Sequence, residues 1–204
     1  MLDNYYKDEY GIIHQKEKNR FVYDDAYTSD YDKMSESVRM MSYLRFGYLL
    51  STIKFIPTSI LDVGYGNGSF ISTCSSVVPN CYGNDVSDYP IPDGIEYVDD
   101  ITSRHFDVIT FFDSLEHFDD ISIIGELDCD YIMISLPWCH YRSDEWFQNW
   151  KHRRVDEHLH YFDEVSLVKY FNNFGFQLVE YSNLEDTIRK SENVNNILTA
   201  IFKK

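Results

Sequence analysis

The sequence predicts an α/β fold: a seven-stranded, mainly parallel sheet with an antiparallel C-terminal hairpin and helices on both faces. Three observations predict it. Short apolar runs at 59–63, 81–85, 95–98, 106–112, 131–136, 176–181 and 196–202 read as strands. Helical stretches alternate with them, and parallel strands need such crossovers. The last two runs lie close together in sequence, as a hairpin requires.

A chain of 204 residues suits one packed domain and is short for two. Its hydrophobic fraction of 44% and aromatic fraction of 17% can supply a core that a disordered chain lacks. No run approaches the roughly 18 apolar residues needed to span a bilayer, and the N-terminus has no apolar signal core, so a cytoplasmic protein without membrane contact is expected. Cys74, Cys81, Cys129 and Cys139 form no C-x-x-C pair and sit in apolar segments. They read as reduced core thiols, not as a disulfide or zinc site. A formal charge of −16 repels phosphate backbones and makes nucleic acid an unlikely partner. The local exception, Lys151-His152-Arg153-Arg154, reads first as a solvated turn and second as a contact for an anionic substrate.

Taken in order, residues 1–34 form an N-terminal arm. It holds six of the 17 tyrosines, Tyr5, Tyr6, Tyr10, Tyr23, Tyr27 and Tyr31, without a sustained period. Such aromatics call for packing against the domain, either across a ligand site or as plain surface packing. The domain proper spans 35–204. From Ser35, apolar residues Val38, Met41, Leu44, Tyr48 and Leu49 recur at helical spacing until Pro57. Strand, glycine turn and helix then follow through Ile60, the Gly64–Gly68 segment and Phe70-Ile71. Asp163 opens a later helix that carries Val165, Val168 and Phe171 and stops at Gly175. In such sheets ligands bind beyond the carboxyl ends of the strands, where strand order reverses.

The chemistry concentrates in Asp62-Val63-Gly64-Tyr65-Gly66-Asn67-Gly68. Its glycines allow positive backbone angles and a close approach of main chain to a ligand. Asp85 ends the next strand, 17 residues after Gly68, where a carboxylate can accept both hydroxyls of a ribose. Dinucleotide binders share this plan, but their third glycine comes one residue later and faces a pyrophosphate. An acid ahead of the loop suits instead a ligand with an amino group and a sulfonium, which favours adenosylmethionine over NAD.

With Gly83-Asn84-Asp85-Val86-Ser87, the run from Phe106 to His117 and Glu157-His158-Leu159-His160-Tyr161-Phe162 following in order, the chain resembles the class I adenosylmethionine-dependent methyltransferases, especially the small single-domain members. The likeness covers roughly residues 35–204 and implies a Rossmann-like fold with S-adenosyl-L-methionine as cofactor and S-adenosyl-L-homocysteine as product. It implies that Gly64, Gly66 and Gly68 line the methionine and ribose, with Tyr65 in the same loop, Asp62 near the amino group, and Asp85 and Val86 at the ribose end. Asp100, or equally Asp99, would face the adenine amino group, and Phe112, Asp113 and Leu115 would border the cofactor. Tyr65 and Asn84 depart from the usual small and apolar residues, and Tyr65 could crowd the cofactor.

Methyl transfer by in-line displacement needs an aligned nucleophile and, where that nucleophile is neutral, a base. Candidates are His158, then His117, then His160, each with a structural alternative as a packing or backbone-binding group. His152, His158 and His160 lack the further ligands and spacing of a metal site, so no metal is expected. Residues 138–156, with Trp138, Trp146 and Trp150, read as a substrate lid or as partly core. Transfer to an O or N atom of a small-molecule acceptor is the leading expectation. The alternatives are a protein or RNA acceptor, or a noncatalytic cofactor-binding partner domain. Oligomeric state has no signature here.

Overall fold

The computed structural model describes residues 2–19, 35–87, 89–189 and 195–204; Tyr23, Tyr27 and Tyr31 of the arm lie outside the described residues. In chain order the strands are β1 (Tyr5–Lys7), β2 (Ile13–Gln15), β3 (Ser59–Val63), β4 (Asn80–Asn84), β5 (Glu96–Tyr97), β6 (Phe106–Phe112), β7 (Cys129–Pro137), β8 (His160–Tyr161), β9 (Gln177–Ser182) and β10 (Ile197–Lys203). The helices are α1 (Ser35–Ile53), α2 (Ser69–Ser75), α3 (Asp144–Asn149), α4 (Glu164–Asn173) and α5 (Asp186–Arg189), with short 3-10 turns at Leu115–His117 and Ile121–Glu126.

Seven strands form one sheet in the order β5-β4-β3-β6-β7-β10-β9. The first five pair in parallel, and β10 runs antiparallel between β7 and β9. Period-two alternation splits the core into two layers. Ile60, Val108, Met133 and Ile201 pack under Phe46, Leu49 and Ile53 of α1 and Phe70 and Ile71 of α2. Their neighbours Leu61, Ile109, Ile132 and Phe202 pack on the other face, against Leu167 and Phe171 of α4. Helices therefore cover both faces. Asp163 caps α4: its carboxylate accepts from Ser166 N at 2.7 Å while Ser166 Oγ accepts from Asp163 N at 3.0 Å. α1 ends before Pro57, at Ile53, because Lys54 turns into the left-handed region at φ 66°.

The arm's described part is a hairpin that the sequence pattern did not reveal. Asp8 organises its turn, one carboxylate oxygen accepting from the backbone N–H groups of Tyr10, Gly11 and Ile12 at 3.0, 2.8 and 2.8 Å. β2 then pairs with β8, making a small sheet β1-β2-β8. Tyr5 and Ile13 of this hairpin bury a third cluster with Cys139, Phe147 and Tyr161, so the arm and the 138–156 segment stabilise each other. The four cysteines are buried free thiols, and no helix among the described residues is long and apolar enough to cross a membrane.

Candidate active site

β3 is the point where chain order reverses, with β4 and β5 on one side and β6 and β7 on the other. A cleft of about 350 Å³ opens at the carboxyl ends of β3, β4 and β6, lined by Val63, Gly64, Gly66, Asn84, Asp85, Val86, Ser87, Tyr89, Phe112, Asp113, Ser114, His117, Phe118 and Asp119. Gly64, Gly66 and Gly68 all have positive φ, at 79°, 54° and 71°. Their surroundings divide the labour. A Cβ on Gly64 would come 2.6 Å from Ser114 Cβ, and one on Gly68 would collide with the Pro92 ring, whereas one on Gly66 would meet nothing within 4 Å. Gly64 and Gly68 thus let the loop pack, and Gly66 presents bare main chain to the cleft. Gly68 itself lies outside the lining.

Asp85 stands at the rim with each oxygen anchored: Oδ2 accepts from Gly66 N and Oδ1 from Ser87 N, both at 2.7 Å. The carboxylate ties the glycine loop to the end of β4 and keeps lone pairs for a ligand. Val86 beside it is 86% exposed, an apolar side chain held against the opening. Asn84 Nδ2 donates to the carbonyls of Val98 at 2.8 Å and Asp99 at 3.4 Å, so this departure from an apolar residue knits the β4 and β5 ends together. Tyr65 is buried outside the cleft lining, its hydroxyl donating to Tyr89 O at 2.6 Å. It fits because β4 carries Gly83, where a Cβ would stand 2.8 Å from the Tyr65 ring.

Asp62 is buried beneath the loop and accepts a hydrogen bond from Thr110 Oγ1 at 2.8 Å. Burial lifts its pKa to about 7, against the lowering effects of Thr110 and Arg45. Asp99 and Asp100 are exposed outside the lining, and Asp100 is occupied by Thr102, whose N and Oγ1 donate to it at 2.9 and 2.7 Å. Leu115 is a fully buried core residue.

At the end of β6, Phe112 packs edge-on to Phe70 and lies under the Arg45 guanidinium. Asp113 adopts φ 50°, a strained angle for a non-glycine residue. An ion network holds it there: Arg45 and Arg189 both reach its Oδ2, and both also grip fully buried Glu185, Arg45 with bonds of 2.7 and 2.9 Å. Desolvation would raise the Asp113 pKa, but the two guanidiniums outweigh it and keep the carboxyl at about 2.

Of the three histidines, His117 lines the cleft. Burial holds its pKa below the ordinary value, and it hydrogen-bonds the Glu157 backbone. His158 crosses it at 88°, ring centroids 4.7 Å apart, and donates from Nδ1 to His152 O at 2.9 Å; burial takes its pKa down to about 3. His160 is engaged at both nitrogens, Nε2 to Phe118 O and Nδ1 to His14 Nδ1, each at 2.8 Å, and His14 continues to Asp8 at 3.0 Å. That chain fastens the hairpin to the turn after β6. His152 pairs with Asn196 Oδ1 at 3.0 Å, so His152, His158 and His160 do not converge as ligands.

The methyltransferase domain family matches residues 39–181, well over half of the chain and all of the cleft. The chain belongs to that family. No curated protein matches it in sequence. Solved structures with the same fold include an adenosylmethionine-dependent methyltransferase from Archaeoglobus fulgidus, at TM-score 0.61 and 16% identity over 88% of this chain and 100% of that one. The 1,6-didemethyltoxoflavin-N1-methyltransferase of Burkholderia thailandensis, solved with its acceptor and S-adenosylhomocysteine, matches at TM-score 0.58 and 12% identity, covering 98% of this chain and 99% of that one. Magnesium protoporphyrin IX methyltransferase from Synechocystis matches at 0.57 and 12%, covering 91% and 90%.

Within this methyltransferase domain the fold gathers Gly64, Gly66, Asp85, Val86, Phe112, Asp113 and His117 around the cleft. Asp62, Tyr65, Gly68, Asp99, Asp100, Leu115, His158 and His160 sit behind or beside it, as do residues 138–156, whose α3 packs under the hairpin. Sequence reasoning passed over Ser114, whose Oγ donates to Val63 O at 2.7 Å, and Glu116. It also passed over Arg45, Glu185 and Arg189. Ser114 and Glu116 lay within a stretch already singled out; the arginines carried no local signal.

Proposed function

We propose that the protein transfers a methyl group from S-adenosyl-L-methionine to an oxygen or nitrogen atom of a small-molecule acceptor. The observation that carries this reading is the Gly66–Asp85 pair: a glycine with open space where a Cβ would stand and a doubly anchored carboxylate face one cleft at the point of strand reversal. Asp85 accepts the ribose hydroxyls, Val86 covers the adenine face, and the Gly64–Gly66 main chain runs along the methionine portion. The donor supplies the reactive sulfonium, and the protein supplies alignment. Phe112, Asp113 and Ser114 border the methyl group at the end of β6. Held neutral by burial, His117 replaces His158 as the histidine nearest the acceptor and presents an imidazole lone pair there.

A small acceptor is favoured by the cleft's volume of about 350 Å³ and by the charge of −16, which opposes polyanionic partners. Two proteins of this fold, the toxoflavin-precursor and magnesium protoporphyrin methyltransferases, act on small ring systems. The test is incubation with methyl-labelled adenosylmethionine and a fractionated metabolite extract. Label entering a low-mass fraction with stoichiometric adenosylhomocysteine supports the reading; label entering only protein or RNA, or none transferred despite donor binding, refutes it.

A further inference from the structure

Glu116 is 1% exposed, and neither carboxyl oxygen has a hydrogen-bond partner among the described residues. A buried carboxylate left without partners is costly, so such a group needs a proton or a counter-charge. Its surroundings supply metal-ligating atoms. One ligand atom each from Glu116, His117 and His158 lies within 4.8 Å of the others, and His117 Nε2 is 3.9 Å from Glu116 Oε1.

We propose that Glu116, His117 and His158 bind a divalent transition-metal cation at the acceptor end of the cleft. The inference rests on the methyl-transfer reading and specifies what the His117 lone pair does. The backbone builds the arrangement: Leu159 N–H donates to Glu116 O at 2.8 Å, laying the His158 segment against the Leu115–His117 turn. His158 Nδ1 faces the His152 carbonyl at 2.9 Å, which can only accept. Nδ1 therefore carries the proton and Nε2 the lone pair, the state a metal-binding imidazole needs. The neighbouring ring of His117 is likewise hydrogen-bonded to backbone, at Glu157.

Burial and the Asp113 charge push the Glu116 carboxyl well above the ordinary range, so a proton is the state it holds without a cation. Its Oε1 is then 3.9 Å from His117 Nε2, beyond hydrogen-bond reach. A cation satisfies all three groups together. Tetrahedral ligands at about 2.1 Å from one ion stand about 3.4 Å apart, so side-chain closure of up to about 1.4 Å completes the site. Two neutral imidazoles and one carboxylate leave open coordination positions. His117 lines the cleft, so those positions suit an oxygen donor on the methyl acceptor. The sequence expectation of no metal weighed histidines alone; Glu116 is the ligand it lacked.

The test uses chelator-stripped full-length protein titrated with Zn²⁺ by calorimetry and by thermal melting. Wild type takes up one equivalent at this site and melts higher with Zn²⁺. Glu116→Gln loses at least about a hundredfold in affinity yet melts, metal-free, no lower than wild type, because an unpartnered buried acid is gone. His158→Ala loses the same uptake. Asp130→Asn, in the exposed His105–Asp107–Asp130 group, leaves it unchanged. Wild type that takes up no Zn²⁺, undiminished affinity in Glu116→Gln, or loss of uptake in Asp130→Asn overturns the assignment. Adenosylmethionine titrated into the same samples separates the two readings. Donor binding without Zn²⁺ uptake overturns the cation site alone, and Zn²⁺ uptake without donor binding overturns the methyl-transfer reading alone.

Discussion

Asp85→Ala removes a side chain that joins the glycine loop to the β4 end and, in the proposed function, to the ribose. In the free protein both oxygens already accept backbone N–H groups at 2.7 Å, so the carboxylate is fixed before the donor arrives. Two ribose hydroxyls would add two hydrogen bonds to a charged acceptor, each about 1.5–3 kcal/mol. Their joint loss is roughly 3–6 kcal/mol, or about two to four decades in Kd. Asp85→Asn keeps one acceptor oxygen and loses about half of that free energy. Calorimetric titration with adenosylmethionine measures both variants, and thermal melting confirms that they fold. A folded Asp85→Ala variant whose Kd stays within about threefold of wild type refutes the ribose assignment.

Other perturbations test the framework. Glu185→Ala leaves Arg45 and Arg189 with half their anionic partners in a buried setting and costs about 3–5 kcal/mol by urea unfolding; a loss under about 1 kcal/mol contradicts the ion-network account. Asp62 has a folded pKa of about 7, above its ordinary 3.8. The stability this group contributes is therefore complete below about pH 4 and lost as pH rises through about 7. Asp62→Asn abolishes that slope, and the gap at pH 8 is up to roughly 4 kcal/mol in favour of the variant; parallel pH profiles would show that Asp62 titrates normally. Gly68→Ala meets both a left-handed backbone and the Pro92 ring and destabilises by about 2–4 kcal/mol, whereas Gly47→Ala, mid-helix with nothing within 4 Å, stabilises by up to about 1 kcal/mol. Equal melting shifts for the two would contradict this reading of the loop.

Local chemistry was legible in the sequence, and long-range pairing was not. In the main sheet β3, β6, β7 and β10 could be read because each is a dense apolar run, β4, β5 and β9 by their place in the strand–helix alternation, and Asp163 could be read as a cap because its partner Ser166 is three residues away. The position of Asp85, just past the end of β4, followed from the fixed strand–turn–helix–strand geometry. By contrast, β1, β2 and β8 hold two or three residues each, and their pairing joins His14 to His160 across 146 positions, beyond any local period. Tyr65 looked obstructive until Gly83, on the neighbouring strand, proved to be the space that receives it. The histidine ranking changed for the same reason. His158 and His117 are 41 positions apart in sequence, and only the folded turn puts His117 at the cleft and His158 behind it.

The central claim is that the cleft beside Gly66 and Asp85 holds an adenosyl sulfonium donor. Calorimetric titration of the purified protein with adenosylmethionine, adenosylhomocysteine and NAD in turn tests it most directly. The account predicts saturable one-to-one binding of the first two, mutually competitive, and none of NAD; binding of NAD with no response to either adenosyl compound would contradict it.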